Sequence, residues 1–72
     1  MIKEHIIFDV AVKVTDKSTA YSYELMLSVK ARGFDHAAEV AEAAVRDGDS
    51  RELRVKILKV EIGKSIYEVV ND

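Results

Sequence analysis

The chain has 72 residues, enough for a single domain, 1–72, that buries roughly 60% of the surface its unfolded form exposes. Eleven Lys and Arg against thirteen Asp and Glu leave a net charge of −2, which excludes a grip on nucleic acid by bulk charge. There is no cysteine, so disulfides, thiolate metal sites and cysteine nucleophiles are excluded.

In chain order, Ile6, Phe8, Val10, Val12 and Val14 recur at period two with Asp9 and Lys13 between them. That alternation predicts a strand with one buried face. Tyr21, Tyr23, Leu25, Leu27, Val29 and Ala31 form a second such run, interleaved with Ser22, Glu24, Ser28 and Lys30. A loop of Asp16 to Thr19 sets Val14 opposite Tyr21, Val10 opposite Leu25 and Phe8 opposite Leu27. All of these fall on one face, and a slip of one residue would reverse them.

After Ala31-Arg32-Gly33-Phe34 the period changes. Asp35 is a plausible N-cap for an alanine-rich helix, Asp35 to Asp47. Its buried stripe is Ala37, Val40, Ala41 and Ala44, with Glu42 and Arg46 as an exposed i,i+4 pair. Gly48 stands where a left-handed residue commonly ends a helix. The charged stretch Arg46–Arg54 therefore reads as a helix end, a turn at Asp49 and Ser50, and a lead into a strand. As a calcium loop it fails: Arg51 and Leu58 would occupy positions that need oxygen ligands. As a phosphate cradle it lies at the wrong end of the helix dipole.

Leu58, Val60 and Ile62 alternate with Lys59 and Glu61, and Gly63-Lys64 suits a two-residue hairpin turn. Such a turn sets Val60 opposite Tyr67, Leu58 opposite Val69 and Lys59 opposite Glu68. Val55 and Ile57 are out of phase with Leu58, which predicts a bulge near Ile57-Leu58 or an apolar outer patch. The fold expected is α+β in two layers: β-β-α-β-β, one antiparallel sheet of order 2-1-3-4, and a single helix across one face. The alternative sets the third strand directly against the second, in parallel. The expected core is Phe8, Val10, Val12, Leu25, Leu27, Val40, Ala41, Ala44, Val60 and Ile62. Ile7, Ala11 and Met26 are left on the outer face.

Few side chains suggest chemistry. His5 precedes the first alternating run, and His36 lies in the first helical turn. Glu39 and Glu42 are three apart on the helix but lack an accompanying Glu-x-x-His. Ser18, Ser22, Ser28, Ser50 and Ser65 have no nucleophile-elbow context. Tyr21, Tyr23 and Tyr67 have the phase of sheet packing. No enzyme activity, cofactor or metal is expected. With no leader-like start and no apolar run of membrane-spanning length, a soluble cytoplasmic protein without membrane attachment is expected.

The second strand, in contrast, is a long edge without proline. Ser22, Glu24, Met26, Ser28 and Lys30 on its outward side are the candidate partner-binding residues. This edge, or the part of the apolar face that one helix leaves uncovered, points to a homodimer, and to a small protein-binding or regulatory role toward another protein, with a phage or mobile-element origin in view. The other candidate role is an RNA- or DNA-binding module using Lys13, Lys30, Arg32, Arg54 and Lys56 on the open face. Phe8, Tyr21 and Tyr23 are in phase with the covered face, so that platform lacks aromatics for stacking. In shape and length, the β-β-α-β order with a mixed basic third strand is similar to a small archaeal ribosomal protein family and to many small tailed-phage proteins.

Overall fold

A computed structural model of the chain describes residues 1–48 and 52–71. Strand β1 (Ile2–Asp16) and strand β2 (Ser22–Ala31) form a hairpin, helix α1 (Phe34–Asp47) follows, and strand β3 (Leu53–Val69) closes the domain. The sheet is antiparallel with order β2-β1-β3. The class is α+β. The four-stranded order 2-1-3-4 is corrected to three strands, because β3 does not turn back at Gly63-Lys64 but continues for 17 residues.

The cause is the length of β1. Its 15 residues reach back to Ile2 and pair with β3 along its whole course, from Asp16–Leu53 to Ile2–Val69. A hairpin at Gly63 would leave the Ile2–Ile7 half of β1 without a partner on that side. Tyr67, Val69 and Glu68 therefore lie opposite Glu4, Ile2 and Lys3, not opposite Val60, Leu58 and Lys59. The register shifts twice, between Ala11 and Val12 and between Ile7 and Phe8. Leu58 and Gly63 are the extra residues at these two bulges. The first is the bulge expected near Ile57-Leu58, and it returns Val55 and Ile57 to the face that bears Phe8. At the second, a side chain would collide with Asp9: a Cβ on Gly63 would lie 2.8 Å from Asp9 Oδ2.

The β1–β2 register is offset by two from the expected one. Val14 faces Tyr23, Val10 faces Leu27 and Phe8 faces Val29. An even offset preserves the faces. Asp16 sets it: its backbone N–H donates to Tyr21 O at 2.8 Å, and its carboxylate accepts from Ser18 N at 2.9 Å and Ser18 Oγ at 2.7 Å. The loop is thus Lys17–Ala20, with Ala20 in the left-handed region at φ 61°.

Helix α1 starts one residue earlier than expected. Gly33 is the N-cap in extended backbone, without a side-chain capping bond. Asp35 instead lies in the first turn, where its charge suits the positive end of the dipole. Gly48 ends the helix in right-handed backbone, φ −84° and ψ −2°, so the left-handed cap is not formed. Glu42 and Arg46 approach to 3.7 Å, and Arg46 Nη1 donates to Leu53 O at 3.0 Å, tying the helix end to β3. The expected turn at Asp49-Ser50, with Arg51, lies outside the described residues.

The core is Phe8, Val10, Val12 and Val14 of β1, with Val29, Ala31, Leu53, Ala37 and Ala41 closing around them. Two alanines facing the sheet let the helix backbone lie close to it. Each fully buried Val or Phe contributes roughly 1.5–3 kcal/mol by leaving water. Leu25, Leu27, Val40 and Val60 pack at the margin, with Val45, Val55 and Ile57. Two expected core residues are corrected: Ala44 and Ile62 are exposed. The helix presents its Ala37–Ala41–Val45 row, which turns Ala44 outward, and Ile62 lies past the reach of α1.

Candidate functional site

The outward edge of β2 follows from its hydrogen-bond phase. Asp16 donates to Tyr21, and opposed antiparallel residues alternate between bonded and non-bonded pairs. Continuing the register, Tyr23, Leu25, Leu27, Val29 and Ala31 direct their N–H and C=O groups at β1. Ser22, Glu24, Met26, Ser28 and Lys30 direct theirs away from the sheet, so the five candidate partner-binding residues share one edge. They lie on the open face as well, and all five are exposed. Neither bulge nor proline interrupts β2. The outer edge of β3, by comparison, carries both bulges, which blunt an edge.

A second surface is the part of the apolar face that the single helix leaves uncovered. The molecule measures 50 × 22 × 15 Å, and α1 covers the sheet only between Phe8 and Asp16. Beyond Ile6, β1 and β3 run on as a two-stranded ribbon, since β2 stops opposite Ile6. On the helix side lie Ile2, Tyr67 and Val69 of this ribbon and, opposite Phe8 at its foot, Ile62, with exposures of 68%, 66%, 71% and 58%; Ser65, which donates to Glu4 at 3.1 Å, lies between Ile62 and Tyr67 on the same face. Phe34 packs beside Phe8, its ring edge-on at 5.2 Å and 52% exposed. At roughly 150–250 Å² for a large side chain, these five present on the order of 600 Å² of apolar surface. The signal available in the sequence was the shared phase of Tyr67 and Val69 with Ile2, legible only once their pairing is known.

The open face is a mosaic of charges. Lys13 lies opposite Lys56 on β3 and Glu24 on β2, and Arg54 lies opposite Thr15. Lys59 and Glu61 pair at 2.7 Å, and this contact raises the Lys59 pKa, chiefly through the hydrogen bond to Glu61 and then through its charge. Ser28 Oγ donates to Asp9 Oδ1 at 3.1 Å. His5 Nε2 contacts Glu68 Oε2 at 2.7 Å, and that hydrogen bond, followed by the charge of His5, holds the Glu68 carboxyl below its ordinary value. The candidate nucleic-acid residues divide into two groups. Lys13, Arg54 and Lys56 sit together near the hairpin end. Lys30 pairs with Ile7, six residues or about 20 Å along β1 from Lys13, and Arg32 follows the end of β2. Among the described residues, the Asp9–Glu61 row crosses the open face between the two groups, so no continuous basic track joins them.

Where β2 ends, a shallow cleft of about 350 Å³ is lined by Glu4, His5, Lys30, Arg32 and His36 among others. It brings both histidines to one place, although they belong to different elements. The Arg32 backbone N–H donates to His36 Nδ1 at 3.0 Å, so the proton of the neutral ring sits on Nε2. Among the described residues, no group of three or more His, Cys, Asp or Glu side chains is placed to hold a metal ion. Glu39 is exposed on the helix, and Glu42 is half-buried on its flank beside Arg46. No helix among the described residues is long and apolar enough to cross a membrane. Comparison with protein-family models, with curated proteins and with solved structures finds no match.

Proposed function

We propose that this chain is a small non-enzymatic docking protein whose contact surface is its incompletely covered sheet. The observation that carries the reading is the apolar ribbon face of Ile2, Ile62, Tyr67 and Val69 with Phe34. Contiguous apolar patches beyond a few hundred Å² mark interaction sites on small proteins. A typical stable interface takes about 800 Å² from each partner, and this face supplies most of that from five side chains. Its occupant is an apolar surface of another protein that carries a hydrogen-bond donor for Glu4, which lies within the face opposite Tyr67 and accepts from Ser65.

A photo-crosslinking residue placed at Tyr67 tests the reading in cells that make the protein, with the same residue at exposed Glu39 on the helix as the control. The expected result is a discrete protein adduct from position 67 and none from position 39. Equal adducts from both positions, or none from either, would refute the docking face.

A further inference from the structure

We infer that the edge of β2 pairs with the β2 edge of a second copy of this chain, antiparallel about a two-fold axis at Leu27. The site is separate from the apolar ribbon face and does not depend on it. Four observations carry it. The edge is regular over its ten residues, and its outward backbone groups belong to the even-numbered residues, as the bond from Asp16 to Tyr21 fixes. Antiparallel pairing of two such edges requires even residues to meet even residues, which leaves registers centred on Met26, Leu27 or their near neighbours.

Charge and face then select among these. With the axis at Leu27, Glu24 of each copy lies opposite Lys30 of the other, so the two charged residues of the edge are neutralised twice. Met26 lies opposite Ser28 on the same face. On the helix side, Leu27 meets Leu27, Leu25 meets Val29 and Tyr23 meets Ala31. Leu25, Leu27 and Tyr23 are half-buried residues at the margin of the core, so each copy covers the margin of the other. With the axis at Met26, Glu24 would face Ser28 and Lys30 would face Ser22, and no opposite charges would meet. An isologous contact of this kind closes on itself and gives a dimer with one six-stranded sheet. The ribbon faces remain free at its two ends.

The chain has no cysteine, which permits a direct test. In a non-bonded antiparallel pair the Cα atoms are about 4.5 Å apart, within disulfide range. Leu27→Cys is therefore expected to form a covalent dimer under mild oxidation. Met26→Cys is expected to stay monomeric on a denaturing gel, because its symmetry mate is offset by two residues along the strand. Independently, light scattering should give the mass of a dimer. Glu24→Lys should weaken the dimer by about tenfold through two like-charge cross-strand pairs, and Glu24→Lys with Lys30→Glu should recover it. A monomeric mass at high micromolar concentration would overturn the inference. So would a dimer that crosslinks through Met26 and not Leu27, or one indifferent to both charge variants.

Discussion

Replacing Gly63 with alanine isolates one contact whose energy can be worked from the structure. Gly63 has no positive φ, so alanine fits its backbone, and restricting the unfolded chain should stabilise the fold by about 0.4–1 kcal/mol. Against that, the new Cβ would stand 2.8 Å from Asp9 Oδ2 and 3.0 Å from both Cγ and Oδ1. The carboxylate must move away from Ser28, whose hydroxyl holds it at 3.1 Å, at a cost of about 0.5–1.5 kcal/mol. Residual crowding costs about 1 kcal/mol, the low end for overpacking, because the obstructing atoms end a side chain. The sum is a net loss of about 1–1.5 kcal/mol, or a fall in Tm of roughly 4–12 °C for a domain this size. In an Asp9→Ala background the obstruction is gone and only the favourable part remains. There Gly63→Ala should be neutral or raise stability by about 0.5 kcal/mol. Urea unfolding of the four proteins of this cycle measures the coupling. Equal effects of Gly63→Ala in the two backgrounds, within about 0.5 kcal/mol, would refute the steric argument and place the cost in the bulge itself.

Val12→Ala removes two methyl groups from a fully buried position and should cost about 2 kcal/mol in denaturant unfolding, a large fraction of the stability of so small a core. Because Glu68 is held below its ordinary value of 4.5 by His5, the stability it lends is present above that value and is lost as pH falls through the lowered one. Glu68→Gln should therefore flatten the acid limb of the Tm curve and leave the neutral region nearly unchanged. Filter binding of single-stranded RNA and DNA at low salt should be weak and insensitive to Arg54→Ala with Lys56→Ala, since Lys13, Arg54 and Lys56 stand apart from Lys30 and Arg32. Tight binding that falls steeply with salt and vanishes in that variant would support a nucleic-acid module instead. Dialysed protein should retain no zinc or calcium, as read by elemental analysis, and neither ion should raise its Tm.

The elements themselves were legible from period and composition. Alternation in β1 and β2 assigned their faces correctly even though the register was two residues off, because side chains repeat every two positions. The offset arose at Asp16, whose carboxylate gathers Ser18 into the turn; no pattern of apolar residues reports such a bond. Phase mismatch between Ile57 and Leu58 announced a bulge, and the Glu42–Arg46 pair followed from helical spacing. Of the candidate surface, the five edge residues of β2 were legible because an edge strand without proline can be read along the chain. That one helix leaves part of the apolar face uncovered was legible too, but not which part, because its members come from positions 2, 34, 62, 67 and 69.

Gly63 marks the division between the two kinds of information. Its missing side chain is explicit in the sequence and permits either of two outcomes, a hairpin turn or a bulge. Local preference favours neither strongly, since Gly63-Lys64 suits a turn and the residues on both sides alternate. The decision rests with β1, sixty residues away, whose Ile2–Ile7 half has unpaired backbone groups to satisfy and an Asp9 carboxylate that fills the space above Gly63. Continuing the ladder pairs both strands over their full length, whereas a hairpin would pair β3 with itself and leave that half of β1 open on the β3 side. Composition and periodicity therefore determined which segments are strands, which is the helix and which side of each is apolar. Where the last strand goes, and hence which apolar surface is left uncovered, depended on a partner that exists only after the chain has folded.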